Sequence, residues 1–423
     1  MIWLIGTAAF LMLVGVPIAF SLGMASALYL VQSGGMLLAV PHKLVAAPDS
    51  FPLLALPFFM LAGSLMNSMG LTDRIFRFAG SLVGHITGGL GHVNVLTQMI
   101  FAGMSGSALA DAAGLGRVTI LAMEKAGFDK AFSVGLTGAA ACIGPIIPPS
   151  VVMVIYGVLT GTSIVGLFLG GFIPGTLMGI TLMILVYFLS KARRYPTEQR
   201  ASLRQVLRDL RGASLTLLTP IIILSGMTGG IFTATEAAAI ACLYAIFLGV
   251  CYRTVNLREL TRIFLDTVES TAVVVLIMAN AVLFAWLLTQ LQIPQKAVAS
   301  TMSFTRNPLI ILLLLNLVLL ILGCLLDGIA ILIITIPVIQ PIILSAGIDP
   351  LHFGVVMTLN IVIGGLTPPF GMMLFLLANI TGLSVEAVTR ASMPFLVPLI
   401  VTLAIITFVP ETVLLIPRLL GYL

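Results

Sequence analysis

Apolar residues run in long blocks along this chain, ended by short polar stretches or by Gly and Pro. A helix needs about 20 apolar residues to cross a bilayer, and many blocks reach that length. They predict nine crossings: Ile2–Ser33, Ser50–Ser68, Ala131–Thr160, Phe172–Ser190, Ala213–Gly230, Thr235–Tyr252, Thr271–Leu291, Leu351–Ile380 and Ser392–Val413. Two of these are interrupted in mid-block, at Gly144–Pro149 and at Gly364–Pro369. Two further blocks, Gly91–Lys125 and Pro308–Ala346, carry small and polar residues at their centres. These are Gly103-Met104-Ser105-Gly106-Ser107 with Asp111, and Gly323-Cys324-Leu325-Leu326-Asp327-Gly328. They read as re-entrant helical hairpins, because a turn at membrane depth survives only where protein or a water-filled cavity satisfies its backbone. Asn256–Glu269 and Met36–Ala47 read as helices lying along the membrane surface, the first with Leu257, Leu260, Phe264 and Val268 at helical spacing.

The interruptions answer each other across 220 residues. Gly144-Pro145-Ile146-Ile147-Pro148-Pro149 matches Gly364-Gly365-Leu366-Thr367-Pro368-Pro369; Gly127 and Asp129 match Gly347 and Asp349; Pro174 matches Pro394. Apolar coincidences are cheap in such a chain, whereas Gly, Pro and Asp at one fixed offset are not. Paired interruptions in two halves of a membrane protein point to a transporter binding site. The halves read as residues 1–190 and 235–423, joined by residues 191–234. The first holds a hairpin at about 91–125 and a broken helix at about 131–160; the second holds a hairpin at about 308–346 and a broken helix at about 351–380.

Composition agrees with the blocks: 60% of residues are hydrophobic and 8% charged, against roughly 25% charged in a soluble domain. The fold class expected is an all-α polytopic membrane protein. The segment from Ile2 lacks a basic leader and reads as a retained helix. The four cysteines, Cys142, Cys242, Cys251 and Cys324, form no C-x-x-C pair and read as small buried residues.

Charge then sets orientation. Lys191–Gly212 reads as a long soluble loop with seven basic residues, and the positive-inside rule makes it cytoplasmic. Alternation from there puts 16 of the 20 Lys and Arg inside, leaving Lys43, Lys296, Arg306 and Arg418 outside. Asn307–Thr389 holds no Lys or Arg, although its counterpart near Gly127 holds several. The two halves are thus expected to face opposite ways, with the N-terminus cytoplasmic and the C-terminus periplasmic. A net charge of +5 distributed in this way serves topology and implies no nucleic-acid partner.

Four helix breaks near the bilayer midplane have chemical uses. Half-helix N-termini suit an anionic group, and unwound carbonyls suit a small cation such as sodium. Pro148-Pro149 and Pro368-Pro369 are expected at the first turns of the restarting helices. Asp111 and Asp327, each placed four to six residues into a hairpin tip, are ion or substrate candidates, the bland reading being a cap on exposed N–H groups. Ser105, Ser107 and Thr367 offer hydroxyls, although such residues also serve helix packing. Glu236 begins a helix, where capping is as good a reading as any. Gly103-Met104-Ser105-Gly106 has the G-x-S-G form of an intramembrane serine protease. That chemistry needs a histidine base near the serine, and His42, His85, His92 and His352 all fall near predicted helix ends. No sequence around Asp111 and Asp327 supports an aspartyl dyad, so the chain is read as no enzyme. An ion or solute channel is the stronger rival, although no charged ring or filter sequence is present.

The hairpin motif GMSGSALAD, the breaks IGPIIPPS and GGLTPPFG, and the segment GGIFTATEAAAI resemble those of the large permease subunit of tripartite ATP-independent periplasmic (TRAP) transporters, over essentially the whole chain. The resemblance implies sodium-driven uptake of an organic acid across a bacterial inner membrane. The acid would be a carboxylate such as sialic acid or a C4-dicarboxylate, or a sulfonate. It would be delivered by a periplasmic substrate-binding protein, with a small four-helix membrane subunit as a separate partner chain. The resemblance also implies an elevator, in which hairpins and broken helices slide against a scaffold. Carried over by motif, Ser105, Ser107, Asp111, Asp327 and Thr367 fall in the substrate region, and sodium falls near Ser105, Gly144, Asp327, Gly365 and Thr367.

Overall fold

The computed structural model describes residues 2–35, 37–46 and 51–423. Among the described residues there are twenty α-helices and no strand. The N-terminal block, expected as one helix, is two: α1 (Ile2–Leu13) and α2 (Ile18–Gln32). Gly15, with φ of 92°, and Pro17, which precedes α2, end one and start the other. Next come α3 (Ala39–Ala46), α4 (Ala55–Ser68) and α5 (Leu71–Val83). The surface segment expected over Met36–Ala47 contains α3, but Met36 and Ala47 lie outside the described residues, as does Ser50. The sequence reading missed α5. It is amphipathic, burying Leu71, Thr72, Ile75 and Ala79, and it bends away from α4 by 70°.

The first hairpin is α6 (Gly89–Ser105) and α7 (Ala108–Lys125). The first broken helix is α8 (Lys130–Ala141) and α9 (Val151–Thr160), followed by α10 (Ile164–Arg193). Lys191–Gly212 is not the long loop expected. α10 continues to Arg193, and α11 (Leu203–Thr228) starts at Leu203, where Ser202 accepts a hydrogen bond from the Gln205 amide at 3.3 Å. Charged residues end an apolar block without ending a helix, and the free stretch is residues 194–202.

α12 (Ala234–Cys251) begins with a capping box: the Glu236 carboxylate accepts from the Thr233 amide and hydroxyl, both at 2.8 Å. α13 (Leu257–Gln290) is continuous through the surface segment and the crossing that were expected to be separate; it contains neither Gly nor Pro. α14 (Ile293–Phe304), also missed, starts with a proline in its first turn. The second hairpin is α15 (Pro308–Leu325) and α16 (Gly328–Ser345), and the second broken helix is α17 (Pro350–Gly365) and α18 (Met372–Thr381). α19 (Val385–Phe408) stops before Pro410, and α20 (Glu411–Leu419) follows, where one helix to Val413 was expected.

Among the described residues, seven helices are long and apolar enough to cross a membrane, or eight if α4 and α5 form one span. The nine expected crossings are therefore not reproduced one for one. The halves of each broken helix are too short to qualify singly. Both arms of the second hairpin, at 18 residues each, do qualify, since such an arm is about 27 Å long.

The two halves interleave. α4 packs along α12, α2 along α13, and α8 along α19. The Tyr156 hydroxyl donates to the Pro350 carbonyl at 2.7 Å, and the Gln340 amide donates to the Thr160 carbonyl at 3.0 Å. Three of the four cysteines are wholly or partly buried, but Cys251, at the end of α12, is exposed.

Candidate functional site

Each hairpin reverses over two residues. At the first tip Gly106 takes φ of 65°, a conformation that favours glycine, and Ser107 caps α7 by accepting from the Ala110 amide at 3.4 Å. At the second tip Asp327 caps α16, accepting from the Ile329 amide at 3.1 Å. The two aspartates are therefore not equivalents at similar depth. Asp327 stands at the turn and corresponds to Ser107, whereas Asp111 lies one turn into α7 and corresponds to Ile331.

Each broken helix is pinned to the tip of its own half. The Val151 amide donates to the Gly106 carbonyl at 3.4 Å, and the Phe370 amide donates to the Cys324 carbonyl at 3.2 Å. The proline pairs lie within the breaks, not at the first turns of the restarting helices. Ser150 caps α9 and Gly371 precedes α18, so both pairs precede the caps. The peptide bonds Pro148–Pro149 and Pro368–Pro369 are cis.

Tips and breaks share one cleft of about 690 Å³. Gly106, Ser107, Asp327 and Gly328 reach it from the tips, and Pro145 and Gly365 from the breaks. Ile361, Met372 and Met373 supply apolar wall, and among the described residues no Lys or Arg lines it. The N-termini of α7, α9, α16 and α18 border it, so the positive ends of four helices lie beside the same space. An anionic group held there needs no basic side chain.

Behind the first tip is a second, enclosed arrangement. Asp111 is fully buried, and neither carboxylate oxygen has a hydrogen-bond partner among the described residues; the same holds for the Ser105 hydroxyl. Ser105 lies beside the carboxylate. Gly144 lies against it from the break, so that a Cβ there would meet Asp111 Oδ2. Burying an unpaired polar group costs several kcal/mol and an unpaired charge far more. Two buried oxygen-bearing side chains beside a glycine backbone fit a dehydrated cation.

Of the predicted site residues, Ser107, Asp327 and Gly365 line the cleft, while Ser105, Asp111 and Gly144 form the enclosed group. Thr367 does neither: its hydroxyl donates to the Ile363 carbonyl at 2.7 Å, closing the last turn before the break.

Sequence reasoning missed the buried amides that fix the hairpins to the broken helices. Asn94 on α6 donates to the Thr137 hydroxyl on α8 at 2.8 Å. Asn360 on α17 donates to Asn316 on α15 at 2.7 Å, and Asn316 donates to Thr407 on α19 at 2.9 Å. A lone amide within an apolar block was the available signal.

Comparison with known proteins places this geometry. The profile of the family described as "Tripartite ATP-independent periplasmic transporter, DctM component" matches residues 5–412. A Vibrio cholerae protein named sialic acid TRAP transporter large permease SiaM is 47% identical over 97% of this chain and 97% of its own length. A Pseudomonas aeruginosa protein named C4-dicarboxylate TRAP transporter large permease DctM is 41% identical over 95% of this chain and 94% of its own. Among solved structures, the Alcanivorax borkumensis YdaH transporter superposes with a TM-score of 0.64 at 17% identity, over 87% of this chain and 86% of that one, a likeness of fold.

Proposed function

The chain belongs to the DctM family of TRAP transporter large permeases, and from that premise we propose that it carries out sodium-coupled uptake of an organic acid by an elevator mechanism. It is a multi-pass membrane protein, and the relatives at this similarity are named permeases, not enzymes. In this reading a periplasmic binding protein delivers the acid and a small membrane subunit flanks the permease. The observation that carries it is the convergence of two hairpin tips and two helix breaks on one cleft without a basic side chain.

The residues then divide the work. The acid's anionic group rests on the N-termini of α7 and α16 and on the Ser107 hydroxyl. The Asp327 carboxylate repels an anion but accepts from hydroxyl groups, so it favours a hydroxylated acid, or it holds a cation that the acid shares. Ser105, Asp111 and the backbone at Gly144 supply oxygens for one sodium, which shifts Asp111 from the substrate to the ion. The backbone around Gly365 and Thr367 supplies the equivalent position in the second half.

The halves act as inverted repeats. α8 and α17 begin 220 residues apart, and both tips and both breaks recur near that offset. Hairpins, broken helices, α10 and α19 form the moving body, and the remaining helices form the scaffold. The N-terminus is cytoplasmic and the C-terminus periplasmic.

The test is uptake into proteoliposomes holding the permease and small subunit, with the binding protein outside. Sialic acid and C4-dicarboxylates are the first substrates to try, because the relatives are named for them. Accumulation against a gradient is expected only with inward sodium. Full-rate uptake without sodium would sink the coupling, and simple equilibration without the binding protein would indicate a channel.

A further inference from the structure

We propose that the arginine-lined pocket between α5 and α11 binds the phosphate of an anionic phospholipid headgroup. The pocket is open to solvent, spans about 490 Å³ and is lined by Arg74, Arg77, Arg208, Asp209 and Gly212. Three guanidinium groups thus meet one carboxylate. Among the described residues, neither Arg74 nor Arg77 has a carboxylate within ion-pair distance, and Arg208 reaches Asp209 only at 3.9 Å.

The pocket is held in shape before any ligand arrives. The Arg74 guanidinium lies 3.7 Å from the centre of the Tyr252 ring and donates to the Gly212 carbonyl at 3.3 Å. Arg77 donates to the Asp73 carbonyl, one turn back, also at 3.3 Å. These contacts leave other N–H groups on both forks free for oxygens, and a guanidinium fork matches phosphate geometry.

Position selects a lipid over a free anion. α11 carries Arg204, Arg208 and Arg211 before Gly212, and from Ala213 to Thr228 it has no charge. That change of composition sets the pocket at the height of lipid headgroups. Exposed Leu207, Leu210, Leu218 and Ile221 recur at helical spacing on the face of α11 turned away from the pocket, an apolar stripe that suits contact with acyl chains beside it. Basic pockets beside spanning helices are suited to anionic lipid headgroups, and each basic side chain there contributes about 1 kcal/mol.

The test titrates the full-length chain in detergent with dioleoylphosphatidylglycerol, dioleoylphosphatidylcholine and inorganic phosphate, reading bound lipid by native mass spectrometry. The glycerol lipid should bind more tightly than the choline lipid. Affinity should fall about fivefold for each arginine removed in Arg77→Gln and Arg208→Gln. Arg77→Lys and Arg208→Lys should fall between, since charge survives but the fork is lost. Both side chains are exposed, and the single variants give the step even if the double variant folds poorly. Equal phosphatidylglycerol affinity in wild type and single variants would overturn the proposal. So would inorganic phosphate that competes as well as the lipid, because the site would then take a free anion.

Discussion

The two halves use one design and differ where tip meets break. In the second half the contact is backbone on backbone: Gly323 and Gly364 cross so closely that a Cβ on Gly323 would lie 2.8 Å from the Gly364 Cα. Their counterparts in the first half, Gly103 and Gly144, do not meet. Gly103 faces Pro220 of α11, and Gly144 faces the Asp111 carboxylate. Beyond the backbone hydrogen bond that each half makes, the second half adds a glycine crossing, and the first half sets its break against a buried acid. Two halves that share a hairpin and a broken helix are thus chemically unequal. The first tip has gained an enclosed group with unpaired oxygens, and the second carries its carboxylate at the cleft.

The strongest way to break this comparison is to remove the charge on one side only. Asp111→Asn keeps shape and removes the carboxylate. If that group holds sodium, the sodium concentration for half-maximal uptake should rise about tenfold to a hundredfold, with normal amounts of protein in the membrane. Unchanged sodium dependence would make Asp111 a structural residue and remove the asymmetry. The next effect is steric. Gly144→Ala pushes a methyl group into the carboxylate, an overpacking that costs about 1–3 kcal/mol and should depress uptake severely. Gly365→Ala meets no protein atom within 4 Å and should fold as stably as wild type. Equal loss in both would mean that backbone freedom at the breaks, and not the Asp111 contact, is what the glycines provide.

Much of the design was legible in the chain because Gly and Pro act locally. Gly144–Pro149 and Gly364–Pro369 do interrupt helices, and Gly106 does turn the first tip. Glu236 as a cap was legible too, since T-x-x-E is a short-range pattern. What escaped depended on geometry over longer distances or on the absence of a breaker. Placing Asp111 and Asp327 at the same depth in their hairpin tips ignored the register that pairs Ser107 with Asp327. The contact between Asp111 and Gly144 depends on how a hairpin leans on a helix, which spacing does not carry. α5 was overlooked because the search followed apolar blocks, and its buried stripe is set among charges. α13 was split at a change in polarity although nothing in it could break a helix.

The smallest expected effects concern the caps, where the halves are most alike. Ser107 and Asp327 each accept one amide hydrogen bond at the start of the second hairpin arm. A cap needs an oxygen and not a charge, so Asp327→Ser should leave the second tip as well capped as the first. Asp327→Ala should lose the bond and about 0.5–2 kcal/mol of stability. The pair of variants separates two roles of one residue. Wild-type thermal stability in Asp327→Ser with much reduced uptake would assign the carboxylate to the acid or the ion in the cleft. Normal uptake in Asp327→Ser, with a fall only in Asp327→Ala, would reduce Asp327 to the cap that Ser107 already is. The two tips would then be chemically equivalent at the cleft, and Asp111 would be the one acidic group that sets the halves apart.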